Sequence, residues 1–103
     1  MRISLLVSGC VTEALGLATC WAGAGDTVTV VLLDSAAAAA RRGHGAGAAL
    51  AEATRAGIVL AVQDEALARV AVRSEDRSDD VKVMDLGEIA DLVAEQSDRV
   101  LWR

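Results

Sequence analysis

Proline, phenylalanine and tyrosine are absent from this 103-residue chain, and it holds only two tryptophans, two cysteines and one histidine. Without proline, no helix carries a proline kink and no turn depends on a cis X–Pro bond. With so few aromatics, the core must be built from Val, Leu, Ile and Ala. Two cysteines make no disulfide framework, and one His with two distant Cys makes no zinc set. Basic residues are also scarce: 10 Lys and Arg face 15 Asp and Glu, for a net charge of −5. Phosphate backbones need a basic face, so direct nucleic-acid binding is not expected. No apolar run reaches the roughly 18 residues of a membrane span.

The cysteines stand at positions 10 and 20. Ten helical residues rise about 15 Å, more than a disulfide bridges. Free thiols point to a reduced, cytoplasmic protein. The opening Met1-Arg2-Ile3 runs straight into a short apolar segment, too short for the apolar stretch of a signal peptide.

What the chain does have is an end-to-end alternation of strand-like and helix-like segments. Ile3–Val7, Thr27–Leu33, Ile58–Val62, Val81–Met84 and Arg99–Trp102 read as strands. Their near-continuous apolar character suits parallel strands covered on both faces. Val11–Ala24 reads as a helix ended by Gly23 and Gly25. The alanine run Ala36–Ala40 reads as a helix capped by Ser35, and Ala46–Ala56 as one closed by Gly57. Asp64 caps a short helix to Val70. Asp85 and Glu88 have capping-box spacing, and Ile89, Leu92 and Val93 form the apolar face of the helix that follows. Arg73–Asp80 is wholly polar and reads as an exposed loop. The pattern predicts one α/β domain over residues 1–103. It has three layers, a five-stranded mostly parallel sheet, right-handed crossovers and the flavodoxin-like order 2-1-3-4-5.

Cys10 is the leading candidate for chemistry. It follows Val7-Ser8-Gly9, where the first strand gives way to the first helix. Open α/β sheets bind ligands at the carboxyl ends of their strands. A helix N-terminus favours a thiolate over a thiol. The bland alternative is a small apolar residue packed at the strand end. Ser8 and Gly9 are candidates for anion binding with the same helix N-terminus. A phosphatase-type loop is excluded, because no arginine occurs at positions 11–17. There is no G-x-G-x-x-G and no phosphate-loop pattern, so no cofactor is expected. His44 lies between Gly43 and Gly45 beside Arg41 and Arg42, as an anion-binding or proton-transfer patch or as a solvated loop residue. The first helix shows two apolar stripes: Val11, Leu15, Ala18 and Ala22, then Ala14, Leu17, Trp21 and Ala24. The second predicts a subunit contact anchored by Trp21 and Leu17. Cys20 then reads as a core or interface residue, with sulfur chemistry as the alternative.

Four stretches carry a resemblance to a known family. They are Val28–Asp34 after the Gly25-Asp26 turn, Val59–Arg69, Val83–Val93, and the closing Asp98–Trp102. Together they resemble the DsrE/DsrF/DsrH and TusB/TusC/TusD sulfur-relay proteins, most of all the TusB/DsrH branch. The resemblance implies a small cytoplasmic protein in a homo- or hetero-oligomer with DsrE-like chains. It further implies sulfur passed as a cysteine persulfide between donor and acceptor proteins, in sulfur oxidation or tRNA thiolation. In DsrE- and TusD-like members the carrier cysteine follows the third strand. The matching positions are Ala61, Val62 and Gln63, and none is cysteine. Three functions therefore stay open: a sulfur carrier using Cys10 or Cys20, a non-catalytic subunit, and an unrelated small-molecule-binding domain.

Overall fold

A computed structural model describes all residues, 1–103, and gives a five-stranded, all-parallel sheet with helices on both faces. The elements in chain order are β1 (Arg2–Val7), α1 (Val11–Gly23), β2 (Thr27–Leu32), a 3-10 helix (Asp34–Ala40) and α2 (Gly47–Arg55). They continue with β3 (Val59–Gln63), α3 (Asp64–Arg69), a 3-10 turn (Ser74–Asp76), β4 (Val81–Met84), α4 (Leu86–Glu95) and β5 (Arg99–Trp102).

The strand order corrects the expectation. It is β4-β3-β2-β1-β5, not 2-1-3-4-5, so β2 pairs directly with β3 and occupies the middle. Burial explains the choice. In β2, Val28, Val30, Val31 and Leu32 are all 1% exposed or less, so both faces of this strand need cover. The edge strands tolerate water: Lys82 and Val83 of β4, and Arg99, Val100 and Trp102 of β5, are exposed.

Three successive crossovers run the same way, from β1 to β4. Right-handed connections then place α1, the 3-10 helix, α2 and α3 on one face. The return from β4 to β5 runs the opposite way and places α4 on the other. The core divides accordingly. Leu5, Val7, Val30, Leu32, Leu60 and Val62 pack with Leu15, Leu50 and Leu67 on the first face. Leu6, Val31, Ala61 and Met84 pack with Ile89 and Leu92 of α4 on the second.

The alanine run departs from the expected α-helix. Ala36, Ala37, Ala39 and Ala40 are buried while Ala38 is only half-buried. A 3-10 helix has three residues per turn, so 36/39 and 37/40 stack as two inward rows. Ser35 is not the cap; Leu33 precedes the first residue, Asp34. Alanine allows this close approach because no longer side chain fits between the helix and its neighbours. Asp64 likewise opens α3 as its first residue, after Gln63, and is not its cap. The α4 capping box is present as expected: Asp85 Oδ1 accepts from the Glu88 N–H at 2.8 Å, and Glu88 Oε1 from the Asp85 N–H at 3.2 Å. Gly57 ends α2 with φ 87°, the left-handed position glycine favours.

The two stripes on α1 merge into one. Ala14, Leu15 and Ala18 are buried, and Val11, Trp21 and Ala22 pack against the same core cluster. Trp21 is half-buried against its own domain.

Polar clasps fasten β5 and α4 to β1. The Asp98 N–H donates to the Arg2 carbonyl at 2.8 Å, and the Arg2 N–H donates to Asp98 Oδ2 at 2.7 Å. The Arg2 guanidinium also reaches Asp98 Oδ1 at 3.1 Å. On the α4 face, the buried Ser4 Oγ lies 2.5 Å from Ser97 Oγ. Ser97 spends its proton on the Leu92 carbonyl at 2.6 Å, so Ser4 is the donor to Ser97.

Ala37→Leu overpacks an inward row and costs about 1–3 kcal/mol, whereas Ala38→Leu stays within about 0.5 kcal/mol. Urea midpoints measure both, and equal losses would contradict the threefold register. The Arg2 guanidinium, then the Arg2 N–H, hold the Asp98 carboxyl below its ordinary value of 3.8. A depressed folded-state pKa stabilises the fold above the unfolded value and stops doing so as pH falls through the folded one. Asp98→Asn should therefore lower Tm at neutral pH, with the deficit vanishing well below pH 3.8. A deficit unchanged at acid pH would exclude the ion pair as its cause.

Candidate functional site

The β1–α1 turn is held by the end of β5. The Ser8 and Gly9 N–H groups donate to the Arg103 carbonyl at 2.7 and 3.1 Å, and the Arg103 N–H donates to the Leu6 carbonyl at 2.8 Å. The Trp102 indole Nε1–H donates to Ser8 Oγ at 2.9 Å. These bonds bear on the expected anion site: the amides of Ser8 and Gly9 already have a partner and are not free to cradle a ligand.

Cys10 is the next residue and occupies the N-cap position of α1. Its backbone is extended (φ −73°, ψ 111°), and its carbonyl accepts from the Ala14 N–H at 3.2 Å. The side chain makes no capping bond, so the thiol is not tied to the helix. It is exposed. It opens onto a cleft of about 510 Å³ lined by Glu13, Ala14, Leu17 and Arg103. Positions 10, 13, 14 and 17 share one side of a helix, so the cleft follows the α1 flank above β5. Glu13 and Arg103 take part in none of the ion pairs. The cleft thus offers one free carboxylate, one free guanidinium, an aliphatic wall and a thiol.

The other expected residues lie elsewhere. Cys20 is exposed near the far end of α1 and does not line the Cys10 cleft. Leu17 does line it, half-buried. His44 is exposed in a turn, with Nδ1 accepting from the Ala46 N–H at 3.0 Å. The arginines beside it serve the 73–80 loop instead of a ligand. Arg42 donates to the carbonyls of Glu75 and Arg77 and to Asp79, and Arg41 bridges to Arg77 through the backbone. No three His, Cys, Asp or Glu side chains converge in a metal-holding group. No helix is long and apolar enough to cross a membrane.

Sequence reasoning missed a second cavity, of about 280 Å³, at the carboxyl ends of the strands on the α4 face. Leu6, Leu33, Asp34 and Gln63 come from the ends of β1, β2 and β3, Leu86 and Ile89 from α4, and Trp102 from β5. Asp34 adopts φ 50°, a left-handed conformation uncommon outside glycine, though Asp tolerates it better than most residues. An aspartate closing an apolar strand two residues before an alanine run was the available signal.

No protein-family model matches the sequence, and neither does any curated protein. Solved structures do match. The ychN protein from E. coli superposes with a TM-score of 0.89 at 17% identity, covering 100% of this chain and 99% of that one. MTH1491 from Methanobacterium thermoautotrophicum, a protein of unknown function, superposes with a TM-score of 0.79 at 15% identity, covering 99% and 98%. At these identities the likeness establishes the fold, over its full length.

Exposure of both sulfurs leads to a simple expectation. Iodoacetamide should modify Cys10 and Cys20 in the native protein, with two adducts by intact mass before any denaturant is added. A thiol that reacts only after unfolding would contradict this geometry.

Proposed function

We propose that this chain is a small sulfur-relay subunit that carries sulfane sulfur on Cys10. The observation that carries the reading is an exposed, uncapped thiol at the carboxyl end of β1, opening onto a cleft large enough for a partner's sulfur-bearing group. The sequence resemblance to the DsrE and Tus proteins points the same way, as do two unpaired thiols, which fit a reducing cytoplasm.

The step is an exchange without net oxidation. The Cys10 thiolate attacks the terminal sulfur of a donor persulfide, R–S–S⁻. A bond forms between Cys10 Sγ and that sulfur, the donor's S–S bond breaks, and R–S⁻ leaves. Protonation of the leaving thiolate balances the proton lost by Cys10. A second exchange of the same kind passes the sulfur to an acceptor thiol. Arg103 supplies a cation beside the anionic persulfide, and Leu17 excludes water from one side of the cleft.

A second reading has its own support. None of Ala61, Val62 and Gln63, the positions that match the carrier cysteine of DsrE- and TusD-like proteins, is cysteine, which favours a non-catalytic subunit in an oligomer with DsrE-like chains. Intact-protein mass spectrometry after incubation with a cysteine desulfurase and cysteine separates the two. The carrier reading expects the mass of one added sulfur in wild type and in Cys20→Ser, reversed by dithiothreitol, and none in Cys10→Ser. Loading that persists in Cys10→Ser moves the site to Cys20. No loading in any variant leaves the non-catalytic subunit.

A further inference from the structure

We propose that the cavity between α4 and the carboxyl ends of the strands binds a small planar organic cation of the amidinium or guanidinium class. The site does not involve Cys10, and the proposal stands or falls apart from the sulfur-relay reading.

The cavity volume, about 280 Å³, is just under the range of roughly 300–1,000 Å³ typical of small-molecule pockets. It therefore suits a ligand with a single ring. Leu33, Leu86 and Ile89 provide aliphatic walls. Trp102 is 63% exposed, yet its indole Nε1 is held by the bond to Ser8. An exposed indole with a fixed orientation is a ready platform, and its electron-rich face attracts cations more strongly than any other side-chain ring.

Asp34 is the one charged side chain lining this space, and it takes part in no ion pair. Its backbone is left-handed, and it opens a 3-10 helix anchored by four buried alanines. The carboxylate is thus carried on a rigid segment at the rim. Gln63 adds a neutral amide. One negative charge, one aromatic face and one amide select the ligand's chemistry. A flat cation with paired N–H donors can meet the carboxylate through two bonds while its face lies on the indole. A neutral ring leaves Asp34 without a partner, and an anion is repelled by it.

The probes are benzamidine, its neutral analogue benzamide and the anion benzoate, titrated against the full chain. The readout is the indole N–H signal of Trp102 by NMR, identified as the peak lost in Trp102→Phe. Benzamidine should shift that peak saturably, with benzamide about tenfold weaker and benzoate without effect. Asp34→Asn and Asp34→Gly both accept a left-handed backbone, so the fold is retained and checked by the backbone amide spectrum. Each should weaken benzamidine about tenfold and leave benzamide unchanged. The proposal is overturned if no probe shifts the Trp102 peak saturably. It is equally overturned if benzamidine binds no better than benzamide or benzoate, or if both Asp34 variants bind it as well as wild type.

Discussion

The pairing of β5 with β1 is the constraint on which both candidate sites depend. This strand is only four residues long and lies at a sheet edge, where half of its backbone groups have no neighbouring strand. Four parallel pairs, from Ile3↔Arg99 to Leu6↔Trp102, would hold it weakly alone. Polar clasps at both ends compensate. Arg2–Asp98 and Ser4–Ser97 fix its start, and the Arg103 and Trp102 bonds to Ser8 and Gly9 fix its finish. All of these bonds join residues more than ninety positions apart, so they form only when the two ends of the chain meet in the sheet. The Cys10 loop is therefore ordered by tertiary contacts, not by its local sequence.

The two sheet faces are covered unequally, and this asymmetry places the cavity beside α4. Three helices and the alanine-built 3-10 helix crowd one face, while α4 alone covers the other. A lone helix about ten residues long spans roughly 15 Å, less than a five-stranded sheet is wide at about 4.8 Å per strand. Space is left beside α4 near the strand ends, and Leu86, Trp102 and Val100 remain partly in water. Alanine makes the opposite face possible in a chain this small. Stacked in two rows, it brings a helical backbone close to the sheet without large side chains.

Local chemistry was the legible part. The Asp85–Glu88 box, the Gly57 terminus, the left-handed Gly25 after α1 and the apolar trio Ile89, Leu92 and Val93 each act within a few residues, and the structure has them where the sequence put them. What depends on distant residues was not legible. Nothing near Ser8 or Gly9 announces that Arg103 will occupy their amides. Strand order follows from which strand needs burial on both faces, and β1 and β2 read as equally apolar. The 3-10 conformation of Ala36–Ala40 comes from packing, since alanine alone favours the α-helix. The position of Cys10 at the strand–helix junction was legible, because both elements were. Its access to a cleft was not, because the far wall is Arg103.

Alternation along β5 ties the two cavities together. Neighbouring residues in a strand point to opposite faces. Trp102 therefore walls the cavity on the α4 side, while Arg103 walls the Cys10 cleft on the α1 side. Both residues also hold the turn between them, the indole through Ser8 Oγ and the main chain through the Ser8 and Gly9 amides. Moving the indole breaks the bond to Ser8, two residues before the thiol. A displaced Arg103 backbone releases the amide of Gly9, the residue next to Cys10. The environment of Cys10 is thus set from both sides of the sheet by Trp102, the last residue of β5, and Arg103, the residue after it, and neither belongs to the helix that carries the sulfur.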